Sequence, residues 1–246
     1  MQEEGLLISF RMMRLDKYLS DLGIGTRKDV RKIIKEGRVS VGSVCVTEPA
    51  HSVLLTDLIK LDDETLAYEE FSYIMLNKPA GYLSASQDSR DKTVLDLLKA
   101  PVPKGLFPAG RLDKDTHGLV LLTNDGILSH RLLSPKRHVD KTYFVQVDGT
   151  LSEKDIAAFA DGMALEDFVC LPAKLEILKS NDSSSDALVT IHEGKFHQIK
   201  RMFLRIDREV LYLKRLSIGP LILDPSLNEG EYRRLTPEEI SSLKSL

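Results

Sequence analysis

The sequence predicts an α+β protein in which a small N-terminal domain precedes a domain with a large mixed sheet. Two helical patterns and a hairpin pattern fill residues 13–61. The strands and helices that follow lack the regular βαβ alternation and the glycine-rich loop of a nucleotide-binding sheet. The length of 246 residues is sufficient for two domains. We therefore expect domains at 13–61 and 73–246, a linker at 62–72 and an N-terminal extension at 1–12.

The charge distribution is more informative than the total charge. The chain has 34 Lys and Arg against 37 Asp and Glu, a net charge of −3, which indicates no particular partner. Residues 14–38, however, hold eight cations and only four acids. Such a patch is typical of a surface that binds a phosphate backbone, although a solvated helix face has the same composition. The eight cations are Arg14, Lys17, Arg27, Lys28, Arg31, Lys32, Lys35 and Arg38.

The N-terminal domain is predicted to contain two helices followed by a hairpin. Apolar residues recur with helical period from Leu15 to Leu22. A second helix begins after Thr26, because Asp29 stands at the spacing of a capping box. The stretch "GRVSVGSVCV" then predicts a hairpin that turns at Gly42-Ser43. The face of the second helix that points away from the core carries Lys28, Lys32 and Lys35.

The cysteine and hydropathy patterns bear on the location of the protein. Cys45 and Cys170 lie far apart and match no metal-ligand spacing, which argues against a disulfide framework and a zinc site. The opening stretch "MQEEGLLISFRM" is acidic where a signal peptide is basic. No apolar run reaches the length of a membrane span. We expect a cytoplasmic protein that does not bind a membrane.

The stretch "GRLDKDTHGLVLLTNDG" joins a charged segment to an aliphatic one. Leu119–Leu122 predicts a buried strand, and Asp113 stands shortly before it, with Arg111 and Asp115 on either side. A carboxylate at the end of a buried strand can act as a nucleophile or a base if a cation keeps it ionised and the wall excludes water. Asp113 is therefore the first candidate for a catalytic residue.

Two other kinds of site are excluded at this stretch. Asp113, Asp115 and His117 have the spacing of the first ligands of a helix-loop-helix calcium loop. The positions of its last ligands fall on Leu121–Asn124, inside the predicted strand, where no carboxylate is present. A serine hydrolase is excluded because the chain has no G-x-S-x-G motif.

A second charged cluster, "EGKFHQIKRMFLR", predicts a turn at Gly194 and then a helix with cations on its exposed side. Upstream, "DKTYFVQV" alternates in the manner of a strand and carries Tyr143. Each candidate also has a structural interpretation, since Asp113 could cap a turn, Tyr143 could be an ordinary strand aromatic residue and Lys200 a solvated helix lysine. The basic residues of the second cluster are Lys195, His197, Lys200, Arg201 and Arg205.

These motifs, taken in order, resemble those of the RsuA branch of the RNA pseudouridine synthases. "GRLDKDTHGLVLLTNDG", "DKTYFVQV" and "EGKFHQIKRMF" follow "MRLDKYL" and "GTRKDVRKIIKEGRVSV" as they do in that family. The similarity extends from Met13 to the C-terminus and includes "YIMLNKPAGY" and "LNEGEYRRLTPEE". It implies an S4-type RNA-binding domain followed by a synthase domain whose large mixed sheet is mostly antiparallel.

The resemblance also implies an isomerase that converts a specific uridine of 16S ribosomal RNA, of the uridine-516 type, to pseudouridine without cofactor or metal. The aspartate of the family's R-L-D motif falls on Asp113, the tyrosine against the flipped base on Tyr143, and the basic partner of the aspartate on Lys200. Much of the wider family has Arg at the last position, and Lys offers no bidentate contact. The predicted RNA-binding residues are Arg14, Arg27, Lys28, Arg31, Lys32, Lys35, Arg111, Lys195, His197 and Arg201.

Two other functions stay open at this point. One is the branch of the family that modifies large-subunit ribosomal RNA, against which "EGKFHQIKRMF" and the tail without a basic extension argue. The other is a non-catalytic ribosomal RNA-binding assembly factor, against which the intact Asp113, Tyr143 and Lys200 argue. The partner that we expect is ribosomal RNA within a small-subunit assembly intermediate, bound by a monomer.

Overall fold

The computed structural model describes residues 12–246, and all of the predicted N-terminal extension except Met12 lies outside this range. The chain divides into two compact units. The first comprises the described residues up to Ser72 together with Leu98–Leu106, and the second comprises Tyr73–Leu97 and Phe107–Leu246. Within the described range, no helix combines the length and the apolar character needed to cross a membrane.

The first unit consists of two short helices and two small sheets around an apolar core. Its elements are β1 (Met12–Arg14), α1 (Leu15–Asp21), α2 (Arg27–Lys35), β2 (Val39–Val41), β3 (Val44–Cys45), β4 (Ser52–Leu54), β5 (Ile59–Leu61) and β6 (Glu64–Leu66). Strand β1 pairs with β4, and the other four strands form a sheet in the order β3-β2-β5-β6. The capping box of α2 is present, with Thr26 accepting from the Asp29 amide and Asp29 from the Thr26 amide.

The first unit extends beyond the predicted limits. The linker prediction at 62–72 was wrong for Glu64–Leu66, which pair antiparallel with β5. The sequence shows no periodicity there because this three-residue strand buries no face. Its hydrogen bonds to β5 hold it in place instead. Residues 98–106 also return to this unit, where the Lys104 amide donates to the Asp21 carbonyl at 3.0 Å. Gly23 permits this approach, since a Cβ atom there would lie 2.0 Å from the Val102 carbonyl oxygen.

The second unit is built on a nine-stranded sheet. Its strands are β7 (Tyr73–Lys78), β8 (Phe107–Ala109), β9 (His117–Thr123), β10 (Lys141–Asp148), β11 (Lys174–Ser180), β12 (Ser184–Ile191), β13 (Val210–Ile218), β14 (Leu221–Ile222) and β15 (Tyr232–Arg234). The order is β11-β12-β10-β13-β9-β7-β15, with β14 beside β13 and β8 beside β9. Strands β9 and β13 are parallel and the other pairs are antiparallel. The predicted mixed, mostly antiparallel sheet is confirmed.

The second unit also contains four helices. They are α3 (Gly126–Leu133), α4 (Glu153–Ala160), α5 (Gln198–Leu204) and α6 (Pro237–Lys244), with 3-10 turns at Val94–Leu97 and Pro135–Arg137. Helix α6 begins with a capping box between Thr236 and Glu239, whose spacing is visible in the sequence. Strand β12 begins at Ser184 within a polar stretch of sequence, and Ser185 is buried there by hydrogen bonds to Leu151 and Gly149.

The core of the second unit explains the aliphatic run in the sequence. Leu119–Leu122 lie in β9, in the middle of the sheet between β7 and β13, and are fully buried on both faces. In β10 the predicted alternation holds, with Tyr143, Val145 and Val147 buried. The loop that contains Asp113 therefore leads into a fully buried central strand of the sheet.

Candidate active site

A pocket in the second unit brings together the three residues predicted to be catalytic, Asp113, Tyr143 and Lys200. The loop before β9 forms one wall, the turn before α5 and the start of that helix form the opposite wall, and side chains of β10, β12 and β13 form the floor. The lining residues are Arg111, Leu112, Asp113, Thr116, Tyr143, Ile191, Gly194, Lys195, His197, Gln198, Ile199, Lys200 and Leu213.

The backbone on both sides of Asp113 is held by buried polar groups. The Leu112 amide donates to the Ser84 hydroxyl at 3.0 Å, and the same hydroxyl donates to the Leu112 carbonyl at 3.1 Å. The Thr116 amide donates to the Asp113 carbonyl at 3.1 Å and closes the turn. The Asp113 side chain itself remains 30% exposed to the pocket. The loop is thus rigid while its carboxylate is accessible.

Lys78, at the end of β7, organises this loop from inside the protein. Its side chain is fully buried, and Nζ lies 3.1, 3.2 and 2.8 Å from the carbonyl oxygens of Asp113, Lys114 and Thr116. Burial lowers the pKa of Lys78 to about 8. Sequence reasoning assigned no role to this residue. The available signal was a lysine at the end of a strand that is otherwise buried throughout.

The cations near Asp113 are arranged differently from the prediction. Nζ of Lys200 lies 4.0 Å from the nearer carboxylate oxygen of Asp113 but 2.6 Å from both oxygens of Asp115. This hydrogen bond is the main reason that the pKa of Asp115 is lowered. Nε2 of His197 lies 3.7 Å from Asp113. Lys200 therefore contacts both carboxylates of the loop, and its predicted contact with Asp113 is longer than its contact with Asp115.

Tyr143 stands on the floor of the pocket. It lies in β10, where its backbone pairs with Val189 of β12 and with Arg215 of β13. The residue is only 6% exposed, and Ile191 and Leu213 line the same floor. The floor is thus an aromatic ring among aliphatic side chains, which suits the face of a planar base.

Arg215 is a second residue that sequence reasoning missed. It is buried, its Nε donates to the Leu119 carbonyl at 2.8 Å, and its Nη2 has no hydrogen-bond partner within residues 12–246. Gly118 lies beside it with φ +100, and a Cβ atom there would meet the Arg215 carbonyl oxygen at 2.2 Å. The sequence signal for this residue was its spacing from Leu213. Residues two apart in a strand lie on the same face, so Arg215 shares the buried face of Leu213.

The other cations predicted around the pocket differ in their environments. Arg111 is exposed and lines the pocket. Lys195 also lines it, with Nζ 3.2 Å from Glu193 and 4.0 Å from the centre of the Phe168 ring. Arg201 forms an ion pair with Asp167 and is absent from the pocket lining. Arg201 thus contacts a neighbouring loop, and its role in RNA binding stays a prediction.

The basic surface of the first unit is partly engaged in internal contacts. Arg14 and Arg31 both lie 2.9 Å from the buried carboxylate of Asp16. These hydrogen bonds, with Arg14 the larger contributor, lower the pKa of Asp16 to about 2. The remaining predicted residues of this surface are exposed on or beside α2, namely Arg27, Lys28, Lys32 and Lys35.

The pocket is that of an enzyme for an anionic substrate, because one carboxylate stands among several cations at the end of a buried strand. Comparison with known families specifies the class. Residues 72–205 match the RNA pseudouridylate synthase family, and residues 13–59 match the S4 domain. The chain therefore belongs to the RNA pseudouridine synthase family and carries an N-terminal S4 domain.

Individual relatives agree over almost the whole chain. An uncharacterized RNA pseudouridine synthase of Bacillus subtilis (strain 168) is 48% identical over 94% of this chain and 98% of its own length. Ribosomal small subunit pseudouridine synthase A of Haemophilus influenzae is 42% identical over 94% of this chain and 99% of its own length. Ribosomal large subunit pseudouridine synthase B of Bacillus subtilis is 37% identical over 96% of this chain and 97% of its own length.

A solved structure supports the same assignment. The crystal structure of a pseudouridylate synthase matches with a TM-score of 0.66 and 41% identity, covering 94% of this chain and 99% of the other. The fold class and the resemblance to the RsuA branch that the motifs indicated are confirmed. Within the described chain, no group of three or more His, Cys, Asp or Glu side chains is placed to hold a metal ion.

Proposed function

We propose that this protein isomerises one uridine of small-subunit ribosomal RNA, of the uridine-516 type, to pseudouridine, with Asp113 as the nucleophile. The observation that carries the proposal is the position of Asp113, whose accessible carboxylate stands on a rigid loop opposite Lys200 and His197 and above Tyr143. Relatives named ribosomal small subunit pseudouridine synthase A are more similar to this chain than the relative named for the large subunit. We propose further that the enzyme acts as a monomer in the cytoplasm, on a small-subunit assembly intermediate.

The reaction needs neither a redox step nor an energy source. The bond between C1′ of the ribose and N1 of the uracil breaks, the base rotates, and C1′ joins C5, which then loses its proton. The uridine must first leave its stack, which costs a few kcal/mol. Arg111 and Lys195 line the rim of the pocket and are placed to contact the phosphates on either side of the flipped nucleotide.

Each residue of the pocket has a defined role in this scheme. Asp113 attacks C1′ or promotes the formation of a glycal. Tyr143 provides the ring against which the uracil lies. The buried side chains of Leu112, Ile191 and Leu213 line the pocket and limit the access of water, which would otherwise hydrolyse the activated sugar carbon. Tyr143 and an Asp113-bound water are the available bases for removal of the C5 proton.

The experiment is single-turnover release of tritium from 5-tritiated uridine in ribosomal RNA transcripts. We expect release from the small-subunit transcript, and faster release when the RNA is assembled with its early-binding proteins. Asp113→Asn should retain the fold and the RNA affinity but lose release by many orders of magnitude, since no neighbour replaces the carboxylate. Asp115→Asn, which removes a carboxylate of the same loop, is the matched control.

Three results would contradict the proposal. Near wild-type release by Asp113→Asn would remove it as the nucleophile. Release from the large-subunit transcript alone would assign the enzyme to the other branch. Binding without release from either RNA would favour the non-catalytic assembly factor.

A further inference from the structure

Phe196 is an exposed aromatic residue beside the pocket, and none of the roles described above uses it. It lies in the turn between β12 and α5, and 74% of its surface is exposed, the highest value among the large hydrophobic residues of the described chain. Scattered exposed apolar residues are ordinary in soluble proteins. This one differs because its neighbours in the turn, Lys195 and His197, both line the pocket.

The ring of Phe196 stacks on the ring of His197. Their centroids are 3.8 Å apart and their planes are inclined by 18°. His197 adopts a left-handed backbone conformation with φ +49, which few residues with a side chain adopt. On its other side, Nε2 of His197 lies 3.7 Å from the Asp113 carboxylate. The two rings therefore form a stack that leads from Asp113 to the outer surface.

The surroundings of this stack hold the aromatic ring of Phe168 and two cations, each of which also forms an ion pair, Lys195 with Glu193 and Arg201 with Asp167. Lys195 stands next to Phe196, with its Nζ 4.0 Å from the centre of the Phe168 ring. Arg201 lies over the same ring at 4.9 Å. Sites for single-stranded nucleic acid combine these two features, since cations follow the phosphates while aromatic faces stack with the bases.

We propose that the exposed face of Phe196 stacks with the base of a nucleotide adjacent to the flipped uridine, with His197 as the second layer of the stack. This inference rests on the proposed function, because it takes the nucleotide in the pocket to be the target uridine. A base next to that uridine loses a stacking neighbour when the uridine flips, and the ring of Phe196 stands beside the pocket with an exposed face. Phe196 is then a positioning residue that contacts RNA but not the reacting atoms.

The first test separates binding from chemistry in single-turnover tritium release from the small-subunit transcript. Stacking of one base contributes about 1–3 kcal/mol, so Phe196→Ala should raise the enzyme concentration for half-maximal rate about tenfold. The maximal rate should stay within about twofold of wild type, and Phe196→Tyr should behave as wild type because it keeps the ring. Phe196→Leu should resemble Phe196→Ala. The matched control is Ile222→Ala, which removes an apolar residue that is 69% exposed on β14 and should change neither constant.

The second test locates the base. The modified uridine is mapped with wild-type enzyme, and an abasic ribose is placed at each neighbouring position in turn. At one position, the missing base should raise the enzyme concentration for half-maximal rate about tenfold for the wild type. For Phe196→Ala the same change should be no more than about twofold, because this variant has already lost the ring that stacks with that base. Additive losses at every position would overturn the inference. An active wild type with an unchanged Phe196→Ala would also overturn it, and a loss confined to protein-containing particles would assign the ring to a protein partner instead.

The two proposals fail in different ways. If wild-type enzyme releases no tritium from any ribosomal RNA, the proposed function fails and this inference fails with it. If wild-type enzyme is active and ring removal changes no constant on RNA, only the inference about Phe196 fails.

Discussion

The ammonium nitrogen of Lys78 lies 3.1 Å from the backbone carbonyl oxygen of Asp113. Two further carbonyls of the same loop, those of Lys114 and Thr116, lie within 3.2 Å of that nitrogen. The carbonyl oxygen of Pro79, also at 3.1 Å, is a fourth acceptor, so the three protons of the ammonium are shared between that residue and the turn that presents the candidate nucleophile. The position of Asp113 thus depends on a buried cation that does not contact its carboxylate.

Replacement of this lysine should uncouple folding from activity. Lys78→Met keeps the volume of the side chain but leaves the carbonyls without their donor, so unfolding should become easier by about 1–3 kcal/mol. The single-turnover rate should fall by about 100-fold, because a displaced Asp113 misses its target atom. Denaturant unfolding and tritium release measure the two effects. Lys136→Met, at an exposed position of the same unit, is the control and should change neither the free energy of unfolding nor the rate. A near wild-type rate for Lys78→Met would show that the loop keeps its conformation without this lysine.

Lys200 contacts the carboxylates of Asp113 and Asp115, and we expect the two contacts to affect the single-turnover rate to different extents. Lys200→Met removes a cation from both Asp113 and Asp115, so the single-turnover rate should fall by about 100-fold. Asp115→Asn removes only the nearer partner and leaves Lys200 free to approach Asp113, so its rate should change by less than about tenfold. In Lys200→Met, the pKa of Asp115 should rise toward its ordinary value, which carbon-detected NMR of the carboxyl group measures. Equal losses in the two variants would assign the catalytic contact to Asp115.

The exposed lysines of α2 should contribute to affinity rather than to chemistry. Changing Lys28, Lys32 and Lys35 together to Ala should weaken RNA binding and flatten its salt dependence, because fewer counterions are released on binding. The rate at saturating RNA should remain within about twofold of wild type. The matched control removes three exposed lysines of the second unit, Lys136, Lys154 and Lys179. An unchanged salt slope in the α2 variant would exclude this surface from the RNA site.

The buried carboxylate of Asp16 should make the first unit sensitive to acid. Its pKa of about 2 lies below the value of about 3.9 in an unfolded chain, so the folded state binds its proton less readily. The stabilisation is therefore complete above about pH 4 and is lost as the pH falls toward 2. Hydrogen exchange of the peptides that cover α1 should accelerate in this range for the wild type.

A substitution at the same position tests this assignment. Asp16→Asn should destabilise the first unit by about 2 kcal/mol at pH 7, since Arg14 and Arg31 lose their partner. Its exchange rates should change less between pH 4 and pH 2 than those of the wild type. Asp63→Asn, at an exposed turn, serves as the control. The same pH response in Asp16→Asn and the wild type would place the acid sensitivity in another group.

Much of this molecule is predictable from the sequence because the relevant interactions are local. The run Leu119–Leu122 predicts a strand buried on both faces, and the alternation from Tyr143 predicts one with a single buried face. The capping boxes at Thr26 and Thr236 depend on side chains three residues away. The quoted motifs were sufficient to select Asp113, Tyr143 and Lys200 as candidates and to indicate the family.

The tertiary structure alone decided which groups meet. β6 and residues 98–106 join the first unit through hydrogen bonds to segments that are separate in sequence. Lys200 contacts Asp115 more closely than Asp113, and Arg14 and Arg31 share the carboxylate of Asp16. The burial of Lys78 and Arg215 beneath the pocket follows from carbonyls supplied by neighbouring strands and loops. Ion pairs and buried hydrogen bonds depend on distances of a few ångströms between residues remote in the chain, and no periodic pattern in the sequence encodes those distances.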